Sequence, residues 1–208
     1  QQGQMEWHNR IQTALQENLL FLECQLITPT NRQSNGLRYE VLVRMRSAGG
    51  SVVPPSAFLP PAERYGMAAR IDRWVIENVL ENLSQVPEHL AALEACHINL
   101  SGRSFDQADF ADFVVDLFGH YQVPPNKICF EITETAAVHN LLEIQSFMKR
   151  LSLMGCSFAL DDFGSGLSSF GYLRRLPVNC LKIDGMFVRD IETDKTDFAM
   201  VRAIHDIG

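Results

Sequence analysis

Strand-like and helical segments alternate along most of the 208 residues, which predicts an α/β fold with a parallel sheet and outer helices. Such a sheet is either open and doubly wound or closed into a barrel. No GxGxxG phosphate-binding motif follows the first strand-like segment, and this absence favours the barrel. We count six strands, whereas a closed barrel has about eight in roughly 250 residues, so we expect the domain to be incomplete at its C-terminus.

The first predicted element is a helix over residues 6–19, where apolar side chains recur at helical spacing. Two strands are predicted next, at 19–27 and 37–45. The Asn35-Gly36 pair that ends the polar stretch between them is typical of an antiparallel hairpin connection. We therefore expect a leading helix, interpreted as a linker over 1–19, and a barrel domain over 20–208.

The remaining elements repeat a strand-then-helix order. Strands are predicted at 96–101, 127–133, 157–162 and 179–184. Helices are predicted at 71–83, 106–120 and 141–154, in a short piece between the last two strands, and from residue 193. We interpret the proline-rich segment 52–63 as a rigid loop.

The composition excludes several classes of protein. A net charge of −7 disfavours binding to DNA or RNA polymers, because such surfaces need clustered lysine and arginine. No apolar run approaches the roughly 20 residues of a membrane-spanning helix, and the N-terminus lacks the features of a secretory signal. We therefore expect a cytoplasmic domain, and leave open whether a membrane segment or sensor precedes it.

The cysteines and histidines do not suggest a metal or disulfide framework. The five cysteines are odd in number and widely spaced: Cys24, Cys96, Cys129, Cys156 and Cys180. We expect buried thiols in a reducing compartment. The six histidines show no HExxH spacing, which argues against histidine-based metal chemistry.

Polar side chains recur near the carboxyl ends of the predicted strands. They are Glu40, Asn99, Glu131, Glu134, Asp161, Asp162 and Lys182. In a β/α barrel these ends converge at one mouth, and carboxylate and amide oxygens suit Mg²⁺ or Mn²⁺. Adjacent aspartates allow one carboxylate to bridge two ions, an arrangement that activates water against a phosphodiester.

Other side chains complete this predicted site. Lys182 is expected to orient or help deprotonate the attacking water, and Arg44 is suited to holding a phosphate oxygen. The glycine- and serine-rich stretch after Asp162 is expected to move over the substrate.

Taken singly, these residues have simpler explanations. Glu40 alone would more often belong to a rim ion pair, Asn99 to a turn, and Lys182 to the solvated surface. Glu134 is also compatible with the first turn of the next helix, where the dipole favours an acid. The Asp-Phe-Gly stretch is reminiscent of kinases, but the glycine-rich loop, strand lysine and His-Arg-Asp set are missing.

Five linked segments resemble the EAL-domain phosphodiesterases, which hydrolyse cyclic di-GMP in bacteria. The segments are YEVLVR, HINLSGRSF, FEITET, ALDDFGSGLSSFGYLRRLP and LKIDGMFV, and the similarity runs from about Leu20 to the end of the chain. The resemblance implies a TIM-like (β/α)8 barrel variant with one antiparallel strand. It also implies linear pGpG as the product and two Mg²⁺ or Mn²⁺ ions per site.

The resemblance assigns a role to each matching position. Ligands of the first ion are implied to be Glu40, Asn99, Glu131 and Asp161, with Asp161 shared and Asp162 serving the second ion. Lys182 matches the lysine that contacts the catalytic water, and Glu134 matches the glutamate that steadies the loop after Asp162. The nucleotide or phosphate pocket is implied to include Gln25, Leu42, Arg44 and Asp184.

The family also suggests partners. Its domains commonly form homodimers near the loop after the aspartates, and they are often fused to GGDEF or sensory domains. The helix before Leu20 is compatible with a linker to such a domain.

Two departures from the family pattern bear on function. The signature reads Glu-Val-Leu instead of Glu-Ala-Leu, which keeps Glu40 and Leu42, so we expect little effect. A further metal-site glutamate and a pocket glutamine would lie beyond Gly208. A chain that truly ended there is expected to be inactive and poorly soluble, because its sheet edges would be open.

Two other functions remain as alternatives to hydrolysis. A catalytically inactive cyclic di-GMP receptor would be expected to have lost metal ligands, and a barrel that contacts only proteins would show gaps in the acidic set. Every ligand position within the chain is filled, which favours the enzyme.

Overall fold

A computed structural model describes residues 2–30, 36–165 and 170–208. The described strands form one seven-stranded sheet with the order β1-β2-β4-β5-β6-β7, and β3 pairs with the edge of β2. The strands are β1 (Leu20–Leu26), β2 (Leu37–Arg46), β3 (Val52–Val53), β4 (Leu93–Leu100), β5 (Ile128–Thr133), β6 (Ser157–Phe163) and β7 (Cys180–Ile183). From β2 to β7 the main sheet is parallel, whereas β1 is antiparallel to β2.

The helices connect these strands in chain order. They are α1 (Gln2–Gln16), α2 (Pro55–Arg64), α3 (Ala68–Gln85), α4 (Pro87–Ala92), α5 (Phe110–Tyr121), α6 (Glu134–His139), α7 (Leu141–Met154), α8 (Gly185–Val188) and α9 (Lys195–Ile207). Short 3-10 helices occur at Gly102–Asp106, Pro125–Lys127 and Phe170–Arg175. The alternating α/β order matches the prediction, and the described strands show no pairing between β1 and β7.

The predicted antiparallel hairpin is present. Its register runs from Leu20 opposite Met45 to Leu26 opposite Tyr39, and buried Tyr39, Val41 and Met45 alternate along β2. This period of two places Glu40 and Leu42 on the opposite face of the strand. The predicted turn residue Asn35 lies outside the described residues.

Apolar faces of the helices cover the outer face of the sheet. In α3, side chains spaced three and four apart are buried, including Ile71, Val75 and Val79. Helix α7 packs Phe147 against Phe130 of β5 and Phe158 of β6. This packing leaves the other face of the sheet and the carboxyl ends of its strands for polar residues.

The prediction of a rigid loop over 52–63 is wrong, because this segment forms β3 and most of α2. Pro55 stands in the first turn of α2, where a backbone N–H has no helical partner in any case. Phe58 and Ala62, four residues apart, are both fully buried. Burial of this apolar face offsets the unfavourable effect of Pro60 and Pro61 inside the helix.

The expectation of buried cysteines holds for three of the five. Cys96, Cys129 and Cys156 are buried, whereas Cys24 and Cys180 are exposed. Both exceptions lie on the outermost strands of the described sheet, β1 and β7, which have a neighbouring strand on one side. All five are free thiols.

Several further elements differ from the sequence prediction. Helices α4 and α8 and strand β3 were not predicted, since each is short, and the leading helix predicted over 6–19 spans Gln2–Gln16. The helix predicted from residue 106 begins at Phe110, after the 3-10 helix. None of the described helices combines the length and apolar character that crossing a membrane requires.

Candidate metal and phosphodiester site

Lys182 lies among three carboxylates contributed by three other strands. Its Nζ is 3.1 Å from Glu40 Oε2 and 3.3 Å from Asp161 Oδ1, and it also donates to Glu131 Oε2. Burial by itself would lower the pKa of Lys182, but the hydrogen bond to Glu131 and the three negative charges together raise it above its ordinary value. Strands β2, β5, β6 and β7 therefore converge on one charged cluster, as the sequence predicted.

Glu131 is the most deeply buried member of the cluster. Its side chain is 0% exposed, and His97 Nδ1 lies 2.6 Å from its Oε1. Burial by itself would raise the pKa of Glu131, but hydrogen bonds from His97 and Lys182 lower it below its ordinary value. The carboxylate is therefore held in its charged form.

Asn99 fixes the orientation of Glu40. Its Nδ2 donates to Glu40 Oε1 at 2.6 Å, while the other Glu40 oxygen accepts from Lys182. Because the nitrogen of the amide is engaged by Glu40, the Asn99 oxygen is the atom suited to binding a cation. Asn99 stands opposite Glu131 in the pairing of β4 with β5.

A register shift brings both adjacent aspartates to the mouth. Between Leu160 and Phe163, β6 advances three residues while its partner β7 advances two. Asp162 adopts a left-handed backbone with φ of 53°, which aspartate tolerates better than most residues. Burial, followed by the nearby charges of Asp161 and Asp184, raises the pKa of Asp162.

Glu134 binds both described ends of the segment that follows the aspartates. Its Oε2 accepts from the Gly164 amide at 3.0 Å, and its Oε1 accepts from the Tyr172 hydroxyl at 2.8 Å. Glu134 is also the first residue of α6, with Thr133 as the N-cap, so the simpler helical explanation holds as well. The glycine- and serine-rich stretch between these ends, residues 166–169, lies outside the described residues.

A cavity of about 340 Å³ adjoins this cluster and brings predicted substrate residues beside predicted metal ligands. Leu42 and Arg44 of β2 line it together with Asn99, Asp161 and Asp162. Arg44 Nε donates to Glu23 at 2.8 Å within the hairpin. The arrangement places an apolar wall and a guanidinium next to the acidic centre.

The other two predicted pocket residues lie apart from this cavity. Gln25 is exposed on β1, directly opposite Glu40 in the hairpin register. Asp184 caps α8, where its side chain accepts from the Met186 amide at 2.8 Å. Neither is among the described residues that line the 340 Å³ cavity.

Sequence reasoning missed His97, Tyr172 and the buried Asp72. Asp72 Oδ2 accepts from Ser101 N at 2.8 Å and from Ser104 Oγ at 2.5 Å, and so fastens the chain just after β4. A carboxylate on the apolar face of α3 was the available signal for Asp72. For His97 the signal was its position two residues before Asn99, hence on the same face of the strand.

The donor set fits a hard divalent cation. Glu40, Glu131 and Asp161 each offer a carboxylate oxygen within 4.8 Å of the others. Asn99 adds an amide beside them, and neither sulfur nor imidazole belongs to this group. Such an oxygen-only set is typical of Mg²⁺ or Mn²⁺ rather than of zinc or copper.

Comparison with known proteins gives consistent similarities. The family model described as the EAL domain matches residues 8–208. The cyclic di-GMP phosphodiesterase PdeB of Shewanella oneidensis is 37% identical over 207 residues, covering 100% of this chain and 24% of the relative. The cyclic di-GMP phosphodiesterase PdeF of Escherichia coli is 37% identical over 200 residues, covering 94% of this chain and 26% of the relative.

A solved structure is similar at the level of the fold. The EAL domain of FimX from Pseudomonas aeruginosa, bound to c-di-GMP, superposes with a TM-score of 0.86 and 28% identity. The match covers 96% of this chain and 79% of that one. The chain spans about a quarter of the length of the two curated relatives.

Proposed function

Because the chain belongs to the EAL-domain family, we propose that it is a metal-dependent phosphodiesterase that opens cyclic di-GMP to linear pGpG. The observation that carries this proposal is the cluster of Glu40, Glu131 and Asp161 around Lys182, beside a cavity lined by Arg44. The names of the two curated relatives support the substrate.

The proposed cation ligands are those that the site brings together. Glu40, Asn99, Glu131 and Asp161 would hold one Mg²⁺ or Mn²⁺, and Asp161 with Asp162 would hold a second. When bound, such ions supply Lewis-acid activation of water and neutralise charge on the phosphodiester.

In the proposed reaction a water oxygen forms a bond to phosphorus and the P–O3′ bond breaks, leaving a 5′-phosphate on pGpG. Lys182 is proposed to orient this water and to offset negative charge on the phosphodiester; its position among Glu40, Glu131 and Asp161, the proposed cation ligands, supports this role. Arg44 is suited to binding a non-bridging phosphate oxygen, and Leu42 forms an apolar wall of the cavity. Gln25 and Asp184 are proposed to contact the parts of the dinucleotide outside the 340 Å³ cavity.

Glu134 is proposed to support the reaction from a distance. By binding the Gly164 amide, it holds the chain immediately after the two aspartates. Its contribution is to keep the backbone of Asp161 and Asp162 in place, which positions their carboxylates for the cations.

The test is formation of pGpG from cyclic di-GMP with Mn²⁺ or Mg²⁺, followed by chromatography. We expect hydrolysis that disappears with a chelator and in Glu40→Gln, while Glu88→Gln, an exposed glutamate on α4, behaves like wild type. Tight binding of cyclic di-GMP without product would instead identify a receptor. Neither binding nor turnover would contradict the proposal altogether.

We further propose that the domain acts within a longer protein as a homodimer. Residues 1–19 would serve as a linker to a GGDEF or sensory domain, and 20–208 would form the catalytic domain. Val138 of α6 and Leu142 of α7 are 44% and 65% exposed. They would supply apolar surface for self-association close to Glu134 and the segment that it binds. Sedimentation of wild type against Leu142→Glu tests this, with a shift to monomer expected in the variant.

A further inference from the structure

His97 lies directly beneath the proposed cation site. It is 8% exposed and is contributed by β4, two residues before Asn99 and on the same face. In the pairing of β4 with β5 it stands opposite Cys129, two residues before Glu131. Its ring therefore lies one step deeper along the strands than the residues proposed to bind the cation.

The contact between His97 and Glu131 joins one ring nitrogen to one carboxylate oxygen. His97 Nδ1 is 2.6 Å from Glu131 Oε1, and since a carboxylate accepts, the ring nitrogen donates. The second oxygen of Glu131, Oε2, faces Lys182 and the cluster. One carboxylate thus has a buried oxygen fixed by histidine and another directed to the site.

We propose that His97 is a positioning residue for the cation site, binding Glu131 Oε1 so that Glu131 presents Oε2 to the metal. This inference rests on the proposed function. Without the donor, Glu131 would lose the partner that fixes its rotation, and a buried carboxylate oxygen would remain unsatisfied. The role needs a proton on Nδ1, which the neutral ring supplies as well as the charged one.

Two variants of matched shape separate the hydrogen bond from the bulk of the ring. His97→Asn places an amide near the position of Nδ1 and keeps a donor, whereas His97→Leu has the same branched shape and no donor. His120→Ala, an exposed histidine on α5, serves as the control. Thermal unfolding of each variant in the absence of metal establishes that it is folded.

The primary readout is the affinity for Mn²⁺, measured by electron paramagnetic resonance of the free ion. We expect His97→Leu to weaken Mn²⁺ binding by about 10- to 100-fold, as is typical for groups that orient metal ligands. We expect His97→Asn to recover most of this loss and His120→Ala to match wild type. Equal or tighter binding of Mn²⁺ by folded His97→Leu would overturn the inference.

Hydrolysis of cyclic di-GMP at saturating and limiting Mn²⁺ is the second readout. We expect the loss of activity in His97→Leu to shrink as Mn²⁺ is raised. Wild-type protein that binds Mn²⁺ without hydrolysing the dinucleotide would contradict the phosphodiesterase, while the His97 inference would still be decided by the Mn²⁺ affinities. Wild-type protein that binds no Mn²⁺ would overturn both.

Discussion

Lys182 balances three carboxylates whose mutual repulsion would otherwise oppose folding. Removing its charge in Lys182→Met leaves Glu40, Glu131 and Asp161 without their shared ammonium. We expect the metal-free variant to unfold at a lower temperature than wild type, and Mn²⁺ to stabilise it by a larger increment. Differential scanning calorimetry with and without Mn²⁺ measures both effects.

The same variant also tests the chemistry of Lys182. If the lysine orients the attacking water, kcat should fall by about 10²-fold or more with Mn²⁺ bound. Lys149→Met, on α7, is the control for loss of a lysine elsewhere. If Lys182→Met kept the wild-type kcat, Lys182 would have no role in the chemical step.

Asp72 makes stability depend on pH. Burial raises its pKa from an ordinary value of 3.8 to about 7, against the opposing effect of hydrogen bonds from Ser104 and Ser101. At a pH between these two pKa values, Asp72 keeps its proton in the folded state and releases it in the unfolded state. The free energy of unfolding should therefore fall as pH rises from about 4 to about 7, with a slope of at most about 1.4 kcal/mol per pH unit from this group.

Asp72→Asn should remove this slope. Both hydrogen bonds end on one oxygen, Oδ2, which the asparagine carbonyl can replace. We expect the variant to gain stability relative to wild type as pH rises, measured by urea denaturation from pH 4.5 to 8. Parallel pH profiles for wild type and Asp72→Asn would refute this expectation, and Asp116→Asn on α5 controls for loss of a carboxylate at an exposed position.

The polar residues of the site were predictable to different degrees. Glu40, Asn99, Glu131, Asp161 and Lys182 stand out because charged or amide groups in strands need partners, and strand ends converge. Their distances depend on the register between strands, which a single sequence does not specify. Tyr172 carried no signal, because its contact with Glu134 joins residues 38 positions apart through a tertiary fold.

Among the secondary-structure elements, the segment after β6 is bound near both of its described ends by one buried carboxylate, that of Glu134. Tyr172→Phe removes the hydroxyl that donates to Glu134 Oε1 and leaves the Gly164 contact in place. We expect a loss of about 1–3 kcal/mol in the free energy of unfolding and faster amide exchange from 164 to 175. Hydrogen-exchange mass spectrometry measures the second effect.

The control for this change is Tyr121→Phe at the end of α5, away from the contacts that Glu134 makes with Gly164 and Tyr172. We expect its exchange over 164–175 to match wild type. Unchanged exchange in Tyr172→Phe would mean that the Gly164 contact suffices to hold the segment.

Helix α2 illustrates where local patterns mislead. Four prolines between residues 54 and 61 favour a loop by composition. The helix forms because two of them precede or begin it, and because Phe58 and Ala62 bury one face against the core. Tertiary burial outweighed local preference, and it is not visible in a ten-residue window.

For the whole molecule, cation binding should appear as added stability. A ligand at about 100 times its dissociation constant adds about 2.7 kcal/mol when it binds only the folded state. We expect Mn²⁺ to raise the unfolding temperature and a chelator to reverse the shift. Asp161→Asn should reduce the response, and a shift of wild-type size in that variant would exclude Asp161 as a ligand.

The α/β class followed from the alternation of periods two and 3.6, which local patterns carry well. The parallel pairing of the later strands also followed, since successive strands joined by helices tend to lie side by side in one sheet. The short strand β3 and helix α4 could not be predicted from the sequence, because two and six residues are too few for a periodic signal.

The contact between Lys182 and Glu40 joins residues 142 positions apart in the chain. The entropy of closing this loop must be lost before the contact can stabilise the chain, so we expect the contact to form late in folding. A cation held by these strands would then stabilise interactions that are absent from the folding transition state. Metal should therefore slow unfolding while leaving the rate of folding nearly unchanged, so that the protein's lifetime, more than its speed of assembly, depends on the ion.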